Sequence, residues 1–192
     1  MTAGVGVLLL AAGRARRFGS DKRFATLSDG RSMFETTLDT LQRSTLPLRV
    51  CVAPEDTAGL NLLAERSVEA LVCDRAEEGM GAVLAQGAAA VADWHGVLVA
   101  LADMPWISVN TYQRVAAGLG GRRIHRPVWR GRGGHPMGFG RAYFDQLISL
   151  SGDVGGKDIV RRHKDNIVDV VLEDVGILQD VDRPDQLVRR SS

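Results

Sequence analysis

Short apolar runs alternate with longer amphipathic or alanine-rich segments along the first two-thirds of the chain. The apolar runs, predicted as strands, are Val5–Leu10, 48–53, 70–73 and Gly96–Leu101. The segments between them are predicted as helices, one beginning at Ser32 and the others spanning 57–66, 80–94 and 108–119. Because the apolar runs do not alternate with polar residues, both faces of each strand are expected to be buried. The pattern predicts an α/β fold in which a mostly parallel sheet carries helices on both faces.

The last third of the chain is less regular. Residues 131–140 contain five glycines and one proline, so this segment is predicted to be loop with at most a short strand. Further helices are expected at 143–150 and 157–163, and a further strand at 167–172. Pro184 lies where a closing helix would start, a position that proline favours.

Size and composition limit the class of protein. The 192 residues suit one domain spanning 1–192, and 24 basic against 23 acidic residues give no general attraction to nucleic acid. Cys51 and Cys73 each lie in an apolar run, which is typical of buried structural thiols rather than a disulfide or a metal site. No stretch reaches the roughly 18 apolar residues of a membrane helix. Since the first residues also lack a signal-peptide pattern, we expect a cytoplasmic protein.

The turn after the first strand is the most distinctive feature. Ala11, Ala12 and Gly13 carry little side-chain bulk, so their backbone can approach a ligand and direct N–H groups at an anion. Between residues 8 and 24 the cations outnumber the acids by five to one, the five being Arg14, Arg16, Arg17, Lys22 and Arg23. We interpret the segment as a phosphate-binding loop. The alternative is an ordinary turn with solvated arginines.

Two further turns follow strands at the edge where parallel sheets bind ligands. Gly79 and Gly81 lie at the entrance to the alanine-rich helix and would let the backbone contact a nucleobase. Glycines can equally well only form the turn before a helix, without a role in binding. Asp103 comes directly after an apolar strand, where a carboxylate can hold Mg²⁺ together with phosphate oxygens and water. The alternative for Asp103 is a cap on the helix that begins near Ser108, but Pro105 makes that spacing poor.

Two polar stretches lie closer to the carboxyl terminus. Asp180 and Asp182 would point the same way on an extended segment, so one of them is a second magnesium ligand if the chain returns to the site. If the chain does not return to the site, the two acids only lie at the start of a helix, where they interact favourably with the helix dipole. Residues 122–141 contain six arginines, His125 and His135, and no acid, which suggests a wall or lid for an anionic second substrate or else a solvated loop.

Six ordered motifs together resemble the nucleotidyltransferase family that includes the molybdenum cofactor cytidylyltransferases and guanylyltransferases. They are LAAGRARRFG (10–19) with Lys22, GMG (79–81), LADMP (101–105), GHP (134–136), LSGDVGG (150–156) and DVDRPDQL (180–187). The resemblance runs nearly the whole length of the chain. It implies a three-layer, Rossmann-like nucleotidyltransferase fold.

The resemblance also implies roles for particular residues. Those expected to bind the nucleotide are Leu10, Ala11, Ala12, Gly13, Arg17, Lys22, Gly79, Met80, Gly81 and Ala102. Arg17, Lys22 and Asp103 are the expected catalytic residues, and Asp103 with Asp182 would hold Mg²⁺. Those expected on the acceptor side are Gly134, His135, Pro136, Asp153, Gly155 and Gly156.

The activity implied by the resemblance is transfer of a nucleoside monophosphate from CTP to the phosphate of molybdopterin, with release of pyrophosphate. Ala11-Ala12-Gly13 resembles the cytidylyltransferase branch, whereas Arg14-Ala-Arg-Arg17 resembles the branch that uses GTP. Arg183 stands where the family usually has threonine, so Asp180 and Asp182 both stay candidate ligands. A molybdoenzyme or its chaperone would be the protein partner. No nucleic-acid partner and no membrane partner are expected. The alternatives are a flavin- or dye-linked oxidoreductase and a non-catalytic nucleotide-binding partner of a molybdoenzyme.

Overall fold

The computed structural model describes residues 4–13, 21–182 and 187. Within these residues eight strands form one sheet: β1 (Val5–Leu10), β2 (Leu48–Val52), β3 (Ala70–Val72), β4 (Gly96–Leu101), β5 (Ile124–Trp129), β6 (Arg132–Gly133), β7 (Met137–Gly140) and β8 (Ile167–Val171). The α-helices of the same residues are α1 (Met33–Arg43), α2 (Thr57–Glu65), α3 (Met80–Ala90), α4 (Val109–Ala116), α5 (Phe144–Ile148) and α6 (Lys157–Arg162). The closing helix predicted from Pro184 lies outside the described residues.

The sheet is parallel around β1 and mixed beyond β4. Its order is β3-β2-β1-β4-β7-β5-β6, and β8 pairs with β5. Strands β2 and β4 flank β1 in parallel, with Leu10 opposite both Cys51 and Leu101. The carboxyl ends of these three strands therefore lie side by side. This edge is where ligands bind in open α/β sheets.

Two apolar layers cover the sheet, one on each face. On β1, Leu8 and Leu10 belong to a cluster with α3 and α5, whereas Val7 and Leu9 belong to a cluster with α1 and α4. The prediction that the strands are buried on both faces is confirmed for β1 and β4. It is wrong for the edge strand β3, where Val72 is 53% exposed. The three-layer fold is confirmed. Cys51 and Cys73 are buried free thiols, as predicted. None of the helices in the described part of the chain has the length and apolar character needed to cross a membrane.

Local sequence signals set the helix ends differently at α1 and α3. The Ser32 and Glu35 spacing predicts a capping box, and both of its hydrogen bonds are formed at the start of α1. Helix α3 ends at Ala90, four residues short of the predicted end at 94. After Ala90 the chain turns so that the Trp94 ring packs against Gly6 of β1, where a Cβ would overlap the ring. The prediction did not foresee this contact.

The basic stretch 122–141 was only partly predicted. Instead of forming a loop, β5 and β7 extend the sheet, with β7 antiparallel to β4. The glycines of β7 allow close packing, because a Cβ at Gly140 would lie 2.7 Å from the carbonyl carbon of Gly120. His125 is buried in β5, where its Nδ1 is 2.8 Å from the Val115 carbonyl oxygen. The alternative of a solvated loop is therefore wrong for this strand, whereas the interpretation as a wall for a second substrate stays a prediction.

Candidate nucleotide site

A pocket opens at the carboxyl edge of the sheet, where the three turns singled out in the sequence come together. It has a volume of about 480 Å³, within the range of small-molecule sites. Its walls come from the turn after β1, the segment before α3, the end of β4 and one distant loop. The lining residues are Leu10, Ala11, Ala12, Gly13, Lys22, Arg23, Ala76, Glu77, Glu78, Gly79, Met80, Val83, Leu101, Ala102, Asp103 and Asp153.

Lys22 joins the amino-terminal turn to the acids expected to bind metal. Its Nζ donates hydrogen bonds of 2.8 Å to Asp103 Oδ2 and 3.1 Å to Asp182 Oδ1. A third bond of 3.2 Å goes to the Val181 carbonyl oxygen. The Val181 N–H in turn donates to the Asp103 carbonyl oxygen at 2.9 Å, so the carboxyl-terminal segment returns to the site. Of the two acids considered there, Asp182 is the one that contacts Lys22.

The Lys22 ammonium is stabilised in its charged form. Partial burial disfavours that form, but the hydrogen bonds and negative charges of Asp103 and Asp182 outweigh burial and raise the pKa of Lys22. The Lys22 side chain is only 18% exposed and that of Asp103 24% exposed. The pair is therefore shielded from bulk water much more than an ordinary surface ion pair.

Asp103 keeps one oxygen available for a further ligand. Its Oδ1 is buried and has no hydrogen-bond partner among the residues that the structure describes, whereas Oδ2 accepts from Lys22. A buried carboxylate oxygen without a donor suits a hard cation such as Mg²⁺, which commonly binds one or two carboxylates and completes its shell with phosphate oxygens and water. Among the described residues no group of three or more His, Cys, Asp or Glu forms a metal cage. The residues thus fit a metal that arrives with a polyphosphate.

Arg23 has a structural position that the sequence interpretation missed. Its guanidinium donates 2.6 Å hydrogen bonds to the Ala11 carbonyl oxygen and to Asp56 Oδ2, and it also pairs with Asp21. Burial opposes the charge of Arg23, but the two carboxylates raise its pKa. This cation is therefore committed within the protein and does not add to the free charge for phosphate. The signal for it was Asp21, two residues before Arg23. Arg14, Arg16 and Arg17 lie outside the described residues.

Gly79 and Gly81 are needed for close packing of the loop 151–154. Gly79 has φ 123°, and a Cβ there would lie 2.7 Å from the carbonyl carbon of Gly152 and overlap Asp153. A Cβ at Gly81 would be 2.8 Å from the Gly152 carbonyl oxygen, which also accepts a 2.8 Å hydrogen bond from the Gly81 N–H. Met80 lies between them, half exposed and lining the pocket. Packing against the loop 151–154 therefore requires glycine at both positions, whether or not a base binds beside them.

The residues expected on the acceptor side come from two segments of the chain. Asp153 lines the pocket beside Gly79, and Gly155 and Gly156 continue from it towards α6. His135 lies just before β7, and its buried Nδ1 has no hydrogen-bond partner among the described residues. Burial lowers the pKa of His135, although a Val99 backbone hydrogen bond and the charges of Asp103 and Asp180 act in the opposite direction.

Gly134 and Pro136 hold the His135 segment in place. A Cβ at Gly134 would lie 2.7 Å from the carbonyl carbon of Ile177, and the His135 N–H donates to the Ile177 carbonyl oxygen at 3.0 Å. The peptide bond between His135 and Pro136 is cis. The segment therefore packs on the 3-10 turn Val175–Leu178, which leads the chain back to Asp182.

The parallel sheet and the pocket built from three strand-end turns define an α/β protein of the nucleotide-binding class. The model of the MobA-like NTP transferase domain matches residues 7–167. The chain belongs to this family and is a nucleotidyltransferase. The family resemblance expected from the sequence motifs is confirmed.

Relatives of known name or structure span almost the whole chain. Nicotine blue oxidoreductase of Paenarthrobacter nicotinovorans is 28% identical, over 95% of this chain and 94% of that protein. The crystal structure of Rv0371c from Mycobacterium tuberculosis H37Rv superposes with a TM-score of 0.82 at 26% identity, covering 97% and 96% of the two chains. Rv0371c has also been solved in complex with manganese. Molybdopterin-guanine dinucleotide biosynthesis protein A from Archaeoglobus fulgidus has a TM-score of 0.63 at 18% identity, covering 95% and 94%.

Proposed function

We propose that this nucleotidyltransferase moves a nucleoside monophosphate from CTP to the phosphate of a molybdopterin-type acceptor and releases pyrophosphate. It would act as a single domain spanning 1–192. The observation that carries the proposal is the contact between Lys22 and Asp103, which meet at 2.8 Å in a pocket walled by the turns after β1, β3 and β4. A cation from the amino-terminal turn and an acid from the turn after β4 would thus act on one ligand.

Nucleotidyl transfer depends mainly on neutralising the charge of the two phosphate-bearing substrates and aligning them. An acceptor phosphate and a triphosphate repel each other, so catalysis depends on holding them in line among cations rather than on a covalent nucleophile. Lys22 and Arg17 would contact the triphosphate, while the backbone of Ala11, Ala12 and Gly13 approaches it closely. Asp103, with Asp182, would hold Mg²⁺, which when bound polarises the α-phosphate and orients the leaving group. The manganese complex of Rv0371c supports a divalent metal in a related protein.

The proposed acceptor is supported by the name of one structural neighbour, and two groups of residues could contact it. The name of the Archaeoglobus fulgidus protein supports a molybdopterin-type acceptor. His135 would stand on the acceptor side near Asp103, flanked by Gly134 and Pro136. Asp153, followed by Gly155 and Gly156, would border the acceptor where it meets the nucleotide. A molybdoenzyme or its chaperone would receive the product in the cytoplasm, where free thiols such as those of Cys51 and Cys73 persist.

The choice of base is supported by the small turn after β1. Ala11, Ala12 and Gly13 resemble the cytidylyltransferase branch, so CTP is proposed first and GTP second. Gly79, Met80 and Gly81, with Ala102 opposite, would border the base. The deciding experiment incubates the protein with Mg²⁺, molybdopterin and each of the four triphosphates, and measures pyrophosphate release. We expect release with CTP above all; release with GTP alone would reassign the donor, and none with any triphosphate would reject the proposal.

A second candidate activity is reduction of a dye-like compound. It is favoured by the 28% identity to nicotine blue oxidoreductase over 95% of the chain. Reduction of this kind would not need the metal acids, so it should survive Asp103→Asn, whereas nucleotidyl transfer should not. Nicotinamide oxidation in the presence of a dye, or a copurifying yellow chromophore, would favour this activity. Triphosphate binding without either turnover would favour the non-catalytic partner.

A further inference from the structure

The position of Lys22 raises a conflict within the proposed site. Its ammonium has three N–H donors, and three acceptors lie within hydrogen-bond distance: Asp103 Oδ2 at 2.8 Å, Asp182 Oδ1 at 3.1 Å and the Val181 carbonyl oxygen at 3.2 Å. No donor is left over for a phosphate oxygen. Lys22 must therefore give up at least one of these bonds before it can contact a triphosphate.

The same ammonium would oppose a metal bound to the two acids. The Lys22 Nζ contacts Asp103 Oδ2 at 2.8 Å and Asp182 Oδ1 at 3.1 Å, so it already neutralises both carboxylates. Mg²⁺ binds carboxylate oxygens at about 2.0–2.1 Å, so even on another oxygen of these side chains, such as Asp103 Oδ1, it would lie close to the ammonium and be repelled by it. A divalent cation held by both acids is therefore expected to displace Lys22.

We propose that Lys22 is an internal counter-ion that exchanges partners during substrate binding. Its ammonium neutralises Asp103 and Asp182 until a polyphosphate reaches the pocket. It then moves to the phosphate oxygens and withdraws its positive charge from both carboxylates, which favours binding of the divalent cation. The long flexible stem of lysine suits such a movement, which the fixed fork of arginine would not. The identity of the polyphosphate and the cation rests on the proposed function.

The exchange predicts a definite order of affinities. Without polyphosphate a divalent cation has to displace Lys22 and should bind weakly, whereas with polyphosphate Lys22 has a new partner and the cation should bind tightly. By linkage the cation must strengthen polyphosphate binding by the same factor. Removing the ammonium should abolish most of this coupling.

The first test measures Mn²⁺ binding by calorimetry, with and without inorganic tripolyphosphate, for the wild type and Lys22→Met. We expect Lys22→Met to bind Mn²⁺ alone at least about tenfold more tightly than the wild type, and to gain much less from tripolyphosphate. The matched control is Lys164→Met, because Lys164 is exposed and lies in the 3-10 turn Lys164–Asn166, outside the pocket. Equal or weaker Mn²⁺ binding by a folded Lys22→Met protein would overturn the exchange.

The second test keeps the wild-type chain, so it does not depend on how a variant folds. An amine-reactive label is applied with and without Mn²⁺, and modification of each lysine is read by mass spectrometry. Displacement should raise labelling of Lys22 several-fold, while Lys157 and Lys164 serve as internal references. Addition of tripolyphosphate with Mn²⁺ should protect Lys22 again. Unchanged labelling of Lys22 at saturating Mn²⁺ would mean that the cation binds beside the ammonium, and the proposal would fail.

These outcomes separate the exchange from the transferase reaction. Labelling and Mn²⁺ affinity that follow the exchange, in a protein that releases no pyrophosphate, would uphold the exchange and reject the proposed function. Pyrophosphate release, together with a Mn²⁺ affinity that is the same in the wild type and Lys22→Met, would support the proposed function and reject the exchange.

Discussion

Arg23 donates a hydrogen bond of 2.6 Å to the Ala11 carbonyl oxygen, which ties the 3-10 turn Lys22–Phe24 to the backbone just after β1. The same nitrogen reaches Asp56 Oδ2 at 2.6 Å. Asp56 caps α2 by accepting a 2.9 Å bond from the Gly59 N–H. One guanidinium therefore connects the turn after β1 with the start of α2, and it also positions Lys22, which precedes Arg23 in the chain.

Arg23→Met should destabilise the protein strongly. The side chains of Arg23 and Asp56 are only 9% and 8% exposed, so the change leaves a buried carboxylate without its cation. Breaking a buried pair in this way typically costs about 3–5 kcal/mol. Urea denaturation measures the loss, with Arg31→Met as the control because Arg31 pairs with its acids at the surface. Similar stabilities for the two variants would show that Arg23 is not an anchor.

Asp103→Asn should remove nucleotidyl transfer while leaving the fold intact. The amide keeps the shape of the side chain but loses the charge that Lys22 neutralises and that a metal would need. We expect turnover to fall at least about 100-fold, which corresponds to ~2.7 kcal/mol of transition-state stabilisation. Pyrophosphate release under saturating CTP gives the rate, and the thermal melting curve checks the fold. Near-normal turnover in a folded variant would remove Asp103 from the metal site.

Asp182→Asn should reduce transfer more than Asp180→Asn does. Asp182 reaches the Lys22 Nζ at 3.1 Å, so its oxygen lies next to the proposed metal position. The charge of Asp180 acts on His135, so we expect Asp180 to face the proposed acceptor rather than the metal. The measurement is the Mg²⁺ concentration that gives half-maximal turnover, which should rise about tenfold or more for Asp182→Asn. A larger rise for Asp180→Asn would assign the second ligand to Asp180.

The sequence predicts the parallel half of this sheet well because its strands are buried on both faces. Val5–Leu10 and Gly96–Leu101 are continuous apolar runs, and the structure has strands over the same residues. Strand β5, Ile124–Trp129, carries His125, Arg126 and Pro127 and has no such run, so it escaped prediction. It is held by pairing with β7, which follows shortly after it, and with β8, which lies much further along the chain.

The sequence predicts where the pocket lies, but not which side chains contact each other in it. The rule that ligands bind at carboxyl ends of strands brings Gly13, Gly79 and Asp103 to one pocket, and the structure has them there. Charge alone does not show which cation pairs with which acid. For this reason Arg23 was counted with the free cations, and the contact between Lys22 and Asp182 was not foreseen.

Gly81→Ala should destabilise the protein even though alanine favours helices. In an unobstructed helix the change would stabilise by about 0.5–1 kcal/mol. Here the new Cβ would overlap the Val154 carbonyl oxygen and lie 2.8 Å from that of Gly152, and overpacking costs about 1–3 kcal/mol. The loop would move and take Asp153 out of the pocket, which should also weaken CTP binding in calorimetry.

The matched control for this change is Gly120→Ala, since a Cβ at Gly120 meets nothing within 4 Å. Its unfolding free energy should stay close to that of the wild type. If Gly81→Ala were equally stable and bound CTP normally, the loop 151–154 would not depend on the glycine turn.

His135 should make stability fall as the pH drops below the usual histidine range. Burial lowers its pKa in the folded protein, so the unfolded chain, with a histidine pKa of about 6.5, binds the proton more readily. The free energy of unfolding should therefore decrease as the pH falls below about 6.5 and keep decreasing down to the folded pKa. His135→Gln should flatten this dependence in urea titrations between those limits, while the other histidines stay in place as a reference. An equally steep dependence in His135→Gln would show that another group controls acid stability.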